Sequence, residues 1–258
     1  MSEPVSTVSG PIDGQVAIVT GAGRGLGRAL AEALNAAGAH VVAAGRTASQ
    51  LDDFVKAAEA EGRSALAVPT DVTNQDSVLA LMDATVAAFG RVDILVNNSG
   101  VLTSTPLLDT DPDEWSRVVD TNLGGTYLMT RAVGRHLVAQ RAGKIINIAS
   151  NFALMGVANH AAYAASKAGI IAFTQCMAVE WARHNVQVNA LAPGYFATEF
   201  NAAMRADQAL TDKVVRAIPA RRMGEPGELA PWVLLLASSA SDFMTGETIV
   251  IDGGQAVR

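Results

Sequence analysis

Short apolar runs alternate along this chain with longer segments whose apolar residues recur at helical spacing. Residues 15–20 (QVAIVT) form a β-rich run, followed by a glycine turn and an alanine/leucine helical pattern over 28–38. A second run at 40–44 (HVVAA) closes a strand–turn–helix–strand unit. The rhythm continues with a helix over 48–61, a strand over 64–69, a helix over 74–89 and a strand over 91–96. In the 74–89 helix, Leu79, Met82, Val86 and Phe89 stand at the spacing of a core face. One long helix is expected from 111 to about 140, opened by an aspartate cap and carrying Val118, Val119, Leu123, Leu128 and Val133. Strands follow at 144–149 and 186–191, separated by a helix over 160–184. Residues 199–224 carry few strand signals and mixed helical character. They are read as a mobile lid within a segment of about 195–224. A helix over 227–238 and a strand over 247–251 complete the pattern. Strands that alternate with helices predict an α/β protein: a doubly wound Rossmann fold with a seven-stranded parallel sheet and helices on both faces.

At 258 residues the chain is long enough for one large α/β domain with a substantial core. No repeat, low-complexity tract or shift of composition divides it. A single domain over 14–258 is expected, preceded by a loose polar arm at 1–13. The net charge of −6, without a long basic run, argues against a general nucleic-acid binder. The single cysteine, Cys176, excludes an internal disulfide framework, fits a reducing compartment and is expected as a small buried hydrophobe. No His/Cys cluster suggests a metal site. No apolar run reaches the ~20 residues of a membrane span, and the polar N-terminus lacks a signal pattern. A soluble cytoplasmic protein without membrane partners is therefore expected.

Two stretches carry chemistry. The first is the glycine turn with Gly21, Arg24, Gly25, Leu26 and Gly27 between strand and helix. Amides at a helix N-terminus bind phosphate, and glycines let the backbone come close. A turn with only a packing role is the plainer reading. The second strand ends at Gly45-Arg46, without the acidic residue that would hold a ribose 2′-hydroxyl. Arg46, with Arg24 on the same side, instead suits a 2′-phosphate, so NADP(H) is expected in preference to NAD(H). Solvated surface arginines are the alternative. Asp71, followed by Val72, either accepts a hydrogen bond from an adenine amino group or caps the next helix. Asn98 and Gly100 lie in a small polar turn at the end of the fourth strand, the edge where open α/β sheets bind ligands.

The second stretch runs from Ser150 to Lys167. Tyr163 and Lys167 stand at i and i+4, on one helical face. A free phenol titrates near ~10, too high for easy proton exchange at neutral pH. A nearby ammonium would lower that value and tune the phenol to give or take a proton at a carbonyl or alcohol oxygen. Ser150 could hold that oxygen. Asn122, among apolar positions of the long helix, either ties down backbone carbonyls or holds an ordered water.

Taken together, these residues resemble the short-chain dehydrogenase/reductase family, over about 14–254. The likeness rests on Thr20-Gly21 with Gly25 and Gly27, Asp71, Asn97-Asn98 with Gly100, Asn122, Ser150, Tyr163 with Lys167, Pro193-Gly194 and Asp252-Gly253-Gly254. One departure is Ser99, where the family usually has alanine; a residue nearly as small should do little harm. The resemblance implies that Tyr163 is the general acid/base and that Lys167 lowers its pKa and binds the nicotinamide ribose. It further implies that Ser150 positions the substrate oxygen and that Asn122 holds a water of a proton relay. Pro193, Gly194, Phe196 and Thr198 would flank the cofactor. A homotetramer or homodimer is implied as well.

Similar sequences include 3-oxoacyl-carrier-protein reductases and gluconate dehydrogenases. Substrate contacts are expected from Ser150, Asn151, Phe152, Tyr163 and Tyr195, with Leu102, His160, Phe200 and Met204 nearby. For His160 a surface position at a helix start is favoured over substrate contact. This mostly apolar set favours a ketone or 3-oxoacyl substrate. An NAD-dependent sugar or polyol dehydrogenase and a non-catalytic dinucleotide-binding regulator are the alternatives.

Overall fold

The computed structural model describes residues 12–257; for Phe200 it describes the backbone only. Most of the arm expected at 1–13 therefore lies outside the described residues. Its end does not fit that expectation: Ile12 is buried in the core, and Gly14 donates its N–H to Gly38 at 3.0 Å. Among the described residues, no helix is long and apolar enough to cross a membrane.

Seven strands make one parallel sheet in the order β3-β2-β1-β4-β5-β6-β7. They are β1 (Val16–Thr20), β2 (His40–Gly45), β3 (Ala65–Pro69), β4 (Ile94–Asn97), β5 (Gly143–Ile148), β6 (Val186–Pro193) and β7 (Thr248–Ile251). The helices are α1 (Gly25–Ala36), α2 (Ala48–Ala60), α3 (Gln75–Phe89), α4 (Pro112–Val119), α5 (Gly125–Gln140), α6 (Ala161–Trp181), α7 (Ala202–Arg205), α8 (Gln208–Ala217) and α9 (Ala230–Ala237). Side chains alternate across each strand, so the sheet feeds two cores. Ala17, Val19, Val41 and Ala43 face Leu30 and Leu34 of α1, Phe54 of α2 and Val233 of α9. Val16, Ile18, Val42 and Ala44 face Leu81 of α3, Met129 and Leu137 of α5 and Ala178 of α6. Both faces are covered, which is why the strands read as continuous apolar runs. Strand order reverses between β1 and β4, and the crevice there opens at the strands' C-terminal ends.

Three expectations change. Met82 of α3 is buried and Phe89 packs against the core as expected, but Leu79 and Val86 are exposed; Val78, Leu81 and Thr85 face the sheet beside Met82. Apolar residues nearly encircle this helix, so periodicity alone left its rotation open. Buried Thr85 is tolerated because its hydroxyl bonds the Leu81 carbonyl at 2.8 Å. The single helix expected over 111 to 140 is in fact two. After α4, capped by Asp111 as expected, a five-residue π-turn at Asp120–Gly124 precedes α5. Gly125 then packs against Val72, which leaves no room for a side chain there. Such turns mark places where a helix re-aims one side chain, here Asn122. Cys176 is exposed, not buried. The inward face of α6 carries Ser166, Lys167 and Thr174, which leaves Cys176 on the outer side.

Candidate active site

A cavity of about 1120 Å³ opens along the C-terminal edge of the sheet, and its wall takes in most of the residues singled out above. At one end lies the glycine turn. Gly21 has φ +67°, a conformation that disfavours any side chain, and a Cβ there would stand 2.8 Å from Asn98 Nδ2. A Cβ on Gly27 would run into the Gly21 carbonyl and the same amide. Asn98 Nδ2 donates to the Thr20 carbonyl at 3.0 Å. Thr20 Oγ1 accepts the backbone N–H of Asn98 at 2.9 Å and of Ser99 at 3.0 Å. Asn98 thus borders the cavity with its amide bound to the turn. Together these bonds stitch β4 to β1 and leave a bare backbone cradle at the start of α1. That is the surface a pyrophosphate needs, so the chain fits a dinucleotide.

Arg24, Gly25, Leu26 and Arg46 line the same end, and both guanidinium groups are exposed. Asp71 Oδ1 accepts from Thr73 N at 2.9 Å and Thr73 Oγ1 at 2.8 Å. These bonds hold its carboxyl below the usual value, with Arg46 adding to the effect. The cap of α3 is Asn74, which accepts from Ser77 N at 3.0 Å, so the capping alternative for Asp71 falls away. Val72 lines the cavity beside it. Sequence reading missed Thr47 and Gln50, which also border this end. Thr47 stands at the N-cap of α2 with its side chain free of any capping bond; its position directly after Arg46 was the available signal.

At the other end Ser150, Tyr163 and Lys167 converge from two elements. Ser150 follows β5, is buried, and its Oγ accepts the N–H of Phe152 at 3.2 Å. Tyr163 and Lys167 stand on α6, whose inward face turns both toward the cavity. Lys167 Nζ donates to the Ile148 carbonyl at 2.7 Å and lies 5.8 Å from the Tyr163 ring centroid. Burial dominates the proton affinities. It pushes Tyr163 above its ordinary value, opposed by a hydrogen bond from Ser150 and assisted by Tyr195. It pulls Lys167 down to about 8. Burial raises the Tyr163 phenol, and the groups that act on it in the protein alone are Ser150 and Tyr195.

Asn122 is fully buried behind the cavity wall. Its Nδ2 donates to the Val101 carbonyl and to Ser166 Oγ, each at 3.0 Å, and its Oδ1 accepts Val101 N at 2.8 Å. The side chain is therefore occupied as a tie between the loop after β4 and α6. Gly100 packs on both Asn122 and Lys167.

The remaining wall is aromatic. Phe152 makes edge contacts with His160, Tyr163 and Tyr195, at centroid distances of 5.2, 6.0 and 5.9 Å. Leu102, Pro193, Gly194, Phe196 and Thr198 border the cavity. One expected substrate contact, Met204, is placed elsewhere, and His160 takes the favoured helix-start position outside the wall. Met204 lies outside the wall, its sulfur 3.9 Å from Thr211 Oγ1. His160 also lies outside it, with Nδ1 on the Ala158 carbonyl at 2.7 Å. Asn151 reaches the wall, but its amide nitrogen is bound to Gln255 and Asp252. The Phe200 side chain lies outside the described residues.

Comparison with known proteins adds an independent line. The model of a family described as enoyl-(acyl carrier protein) reductase matches residues 21–256. A 2-dehydro-3-deoxy-D-gluconate 5-dehydrogenase of Escherichia coli (strain K12) is 40% identical over 248 residues, covering 96% of this chain and 97% of its own. A 3-oxoacyl-[acyl-carrier-protein] reductase of Synechocystis sp. is also 40% identical, over 94% of this chain and 97% of its own. The crystal structure of a gluconate 5-dehydrogenase from Burkholderia cenocepacia J2315, in complex with NADP and tartrate, superposes with a TM-score of 0.92. Identity there is 39%, with 95% and 96% of the two chains covered.

Proposed function

This chain belongs to the short-chain dehydrogenase/reductase family of oxidoreductases, and from that premise we propose that it is an NADP(H)-preferring carbonyl reductase and alcohol dehydrogenase with Tyr163 as its general acid/base. The observation that carries the reading is the convergence of Ser150, Tyr163 and Lys167 at one end of a cavity whose other end is the bare glycine cradle. The dinucleotide, when bound, supplies or takes the hydride. The chain's own residues do the rest. Ser150 Oγ, beside the Tyr163 hydroxyl, holds the substrate oxygen. Tyr163 gives that oxygen a proton during reduction and takes it back during oxidation. Its raised pKa keeps the proton on the phenol at neutral pH, the form reduction needs. Lys167 keeps a positive charge over the ring below about pH 8 and would bind the nicotinamide ribose. Asn122 holds the loop at Val101 against α6, and a water beside it would connect Lys167 to solvent.

Gly21, Arg24, Gly25, Leu26 and Gly27 would cradle the pyrophosphate side, and Arg46 with Thr47 the 2′-phosphate. Asp71, Val72, Asn98, Gly100, Pro193, Gly194, Phe196 and Thr198 would flank the adenosine and nicotinamide. Leu102, Phe152 and Tyr195 offer the substrate an apolar and aromatic surface, which favours a ketone or 3-oxoacyl compound. A second reading, a sugar or polyol dehydrogenase that uses NAD with Arg46 stacked on adenine, draws support from the sugar-acid relatives. An apolar recess at Tyr127, Phe173, Met177 and Trp181 suits self-association into a homodimer or homotetramer. The lone cysteine suits the cytoplasm.

Tyr163→Phe tests the reading. Turnover should fall by about 10²–10⁴-fold in a panel of ketones, 3-oxoacyl thioesters and sugar acids, while NADPH still binds. Near-normal turnover would sink the acid/base assignment. Tight cofactor binding with no turnover of any substrate by the wild type would favour a regulator instead.

A further inference from the structure

We infer that the terminal turn at residues 252–255 holds the catalytic loop in place, with Asn151, Asp252 and Gln255 acting as positioning residues for the Ser150 hydroxyl; the inference rests on the role proposed for Ser150 and Tyr163. Asn151 is the residue after Ser150 and is 1% exposed. Its amide nitrogen donates to Gln255 Oε1 at 2.9 Å and to Asp252 Oδ2 at 3.3 Å. Gln255 is itself buried. The Asp252 carboxylate is held by the N–H of Gly254 at 2.9 Å and of Ala256 at 2.7 Å, so the acceptor offered to Asn151 is fixed rather than swinging.

The end of β7 and the turn after it also meet the Pro193-Gly194 wall of the site and the segment after α8, which lies outside the cavity wall. The Ile251 carbonyl accepts the N–H of Gly194 at 2.9 Å, and the Gly253 carbonyl accepts the N–H of Ala220 at 3.0 Å. Gly194 lies so close that a Cβ on it would stand 2.6 Å from Asp252 Cβ. One turn therefore meets the serine loop, the Pro193-Gly194 loop and the segment after α8. None of its side chains needs to touch substrate. A reacting group displaced by about 1 Å can cost 10²-fold in rate, and Ser150 sits at the start of a three-residue 3₁₀ turn whose second anchor is Asn151. Without that anchor, the Ser150 hydroxyl would keep its neighbour Phe152 N–H but lose a fixed direction toward Tyr163.

Gln255→Met tests this, because methionine matches the length and removes the side-chain amide, and with it the acceptor offered to Asn151. The expected result is a kcat lower by about tenfold, with the NADPH Kd from fluorescence titration within about twofold. The limb of the pH–rate profile that reports Tyr163 should move upward, because the Ser150 bond that opposes its rise is loosened. Asn151→Ala cuts the same link from the other side. The double variant should be no slower than the worse single one. Unchanged kcat and pH limb in Gln255→Met overturn the inference. So do fully additive losses in the double variant, and so does a parallel fall of kcat, NADPH affinity and melting temperature, which marks a plain structural brace. Tyr163→Phe in the same assay separates the two readings. If it is nearly inactive while Gln255→Met is silent, only the positioning role fails; if it stays active, the acid/base reading fails.

Discussion

The two ends of the cavity are built by different means. The glycine end is made of backbone: Gly21, Gly25 and Gly27 leave a bare surface, and the polar atoms of Thr20 and Asn98 are spent on main-chain partners. The elements around it, β1 to β3 with α1 and α2, bury little that is polar beyond Thr20 and Asn35. The catalytic end is made of side chains buried in a polar interior. Asn97, Asn122, Asn147, Ser166, Lys167 and Thr174 are all buried there, linked by bonds such as Asn97 to Asn147 at 2.9 Å and Asn147 to Thr174 at 2.9 Å. Backbone suffices to hold a phosphate, which asks only for N–H groups and room. Moving a proton requires groups whose affinities are shifted, and burial is what shifts them. Buried polar groups favour mutual hydrogen bonds, which explains the web behind Tyr163; within it Asn97 Oδ1 alone of these side chains lacks a partner among the described residues.

The largest effect that could break this contrast is at Lys167. Lys167→Met should lower kcat by about 10²–10⁴-fold while leaving the glycine end able to bind the adenosine portion. It should also change how stability depends on pH. Lys167 titrates near 8 in the folded chain and near 10.5 when unfolded. Below pH 8 both states hold the proton and the buried charge works against folding. As pH rises from about 8 the folded state sheds it first, and stability climbs toward pH 10. Tyr163 acts oppositely but only above its ordinary value of 10.0, where the unfolded phenol ionises first and stability is lost. Chemical denaturation across pH 7–10 should therefore show a rise in wild type that is missing in Lys167→Met. The same slope in both would refute the burial argument.

Gly27→Ala probes the backbone end. With no space between the Gly21 carbonyl and the Asn98 amide, the turn must shift, at a cost of about 1–3 kcal/mol in thermal or denaturant unfolding. NADPH affinity should fall steeply with it; a variant that binds normally would show that the cradle is less exacting than its geometry. Arg46→Asp should have the smallest effect. NADPH binding should weaken by about tenfold with NADH little changed, measured by parallel titration. Wild-type binding of NADH as tight as NADPH would remove the phosphate role of Arg46 and favour adenine stacking.

Much of this is legible in the sequence. The strand–glycine–helix start is local in sequence, and its chemistry is backbone chemistry, so residues 20–27 could be read directly. Tyr163 and Lys167 share a helix face by spacing alone. What could not be read was the rotation of α3, where Leu79 and Val86 fit a periodic pattern yet face solvent, or the π-turn that aims Asn122. Residue type also misplaced Cys176: a lone cysteine is usually buried, yet α6 turns Ser166, Lys167 and Thr174 inward and leaves Cys176 exposed.

The sequence by itself determined the α/β order, the parallel sheet, the position of the glycine cradle and the identity of the groups that could move a proton, since each depends on residues within a few positions of one another. Only the tertiary structure decided that burial raises the Tyr163 phenol, and that the Asn151 amide nitrogen is bound to Gln255. Both are consequences of neighbours brought together from distant parts of the chain. Desolvation and hydrogen-bond geometry depend on that enclosure, which no local pattern encodes.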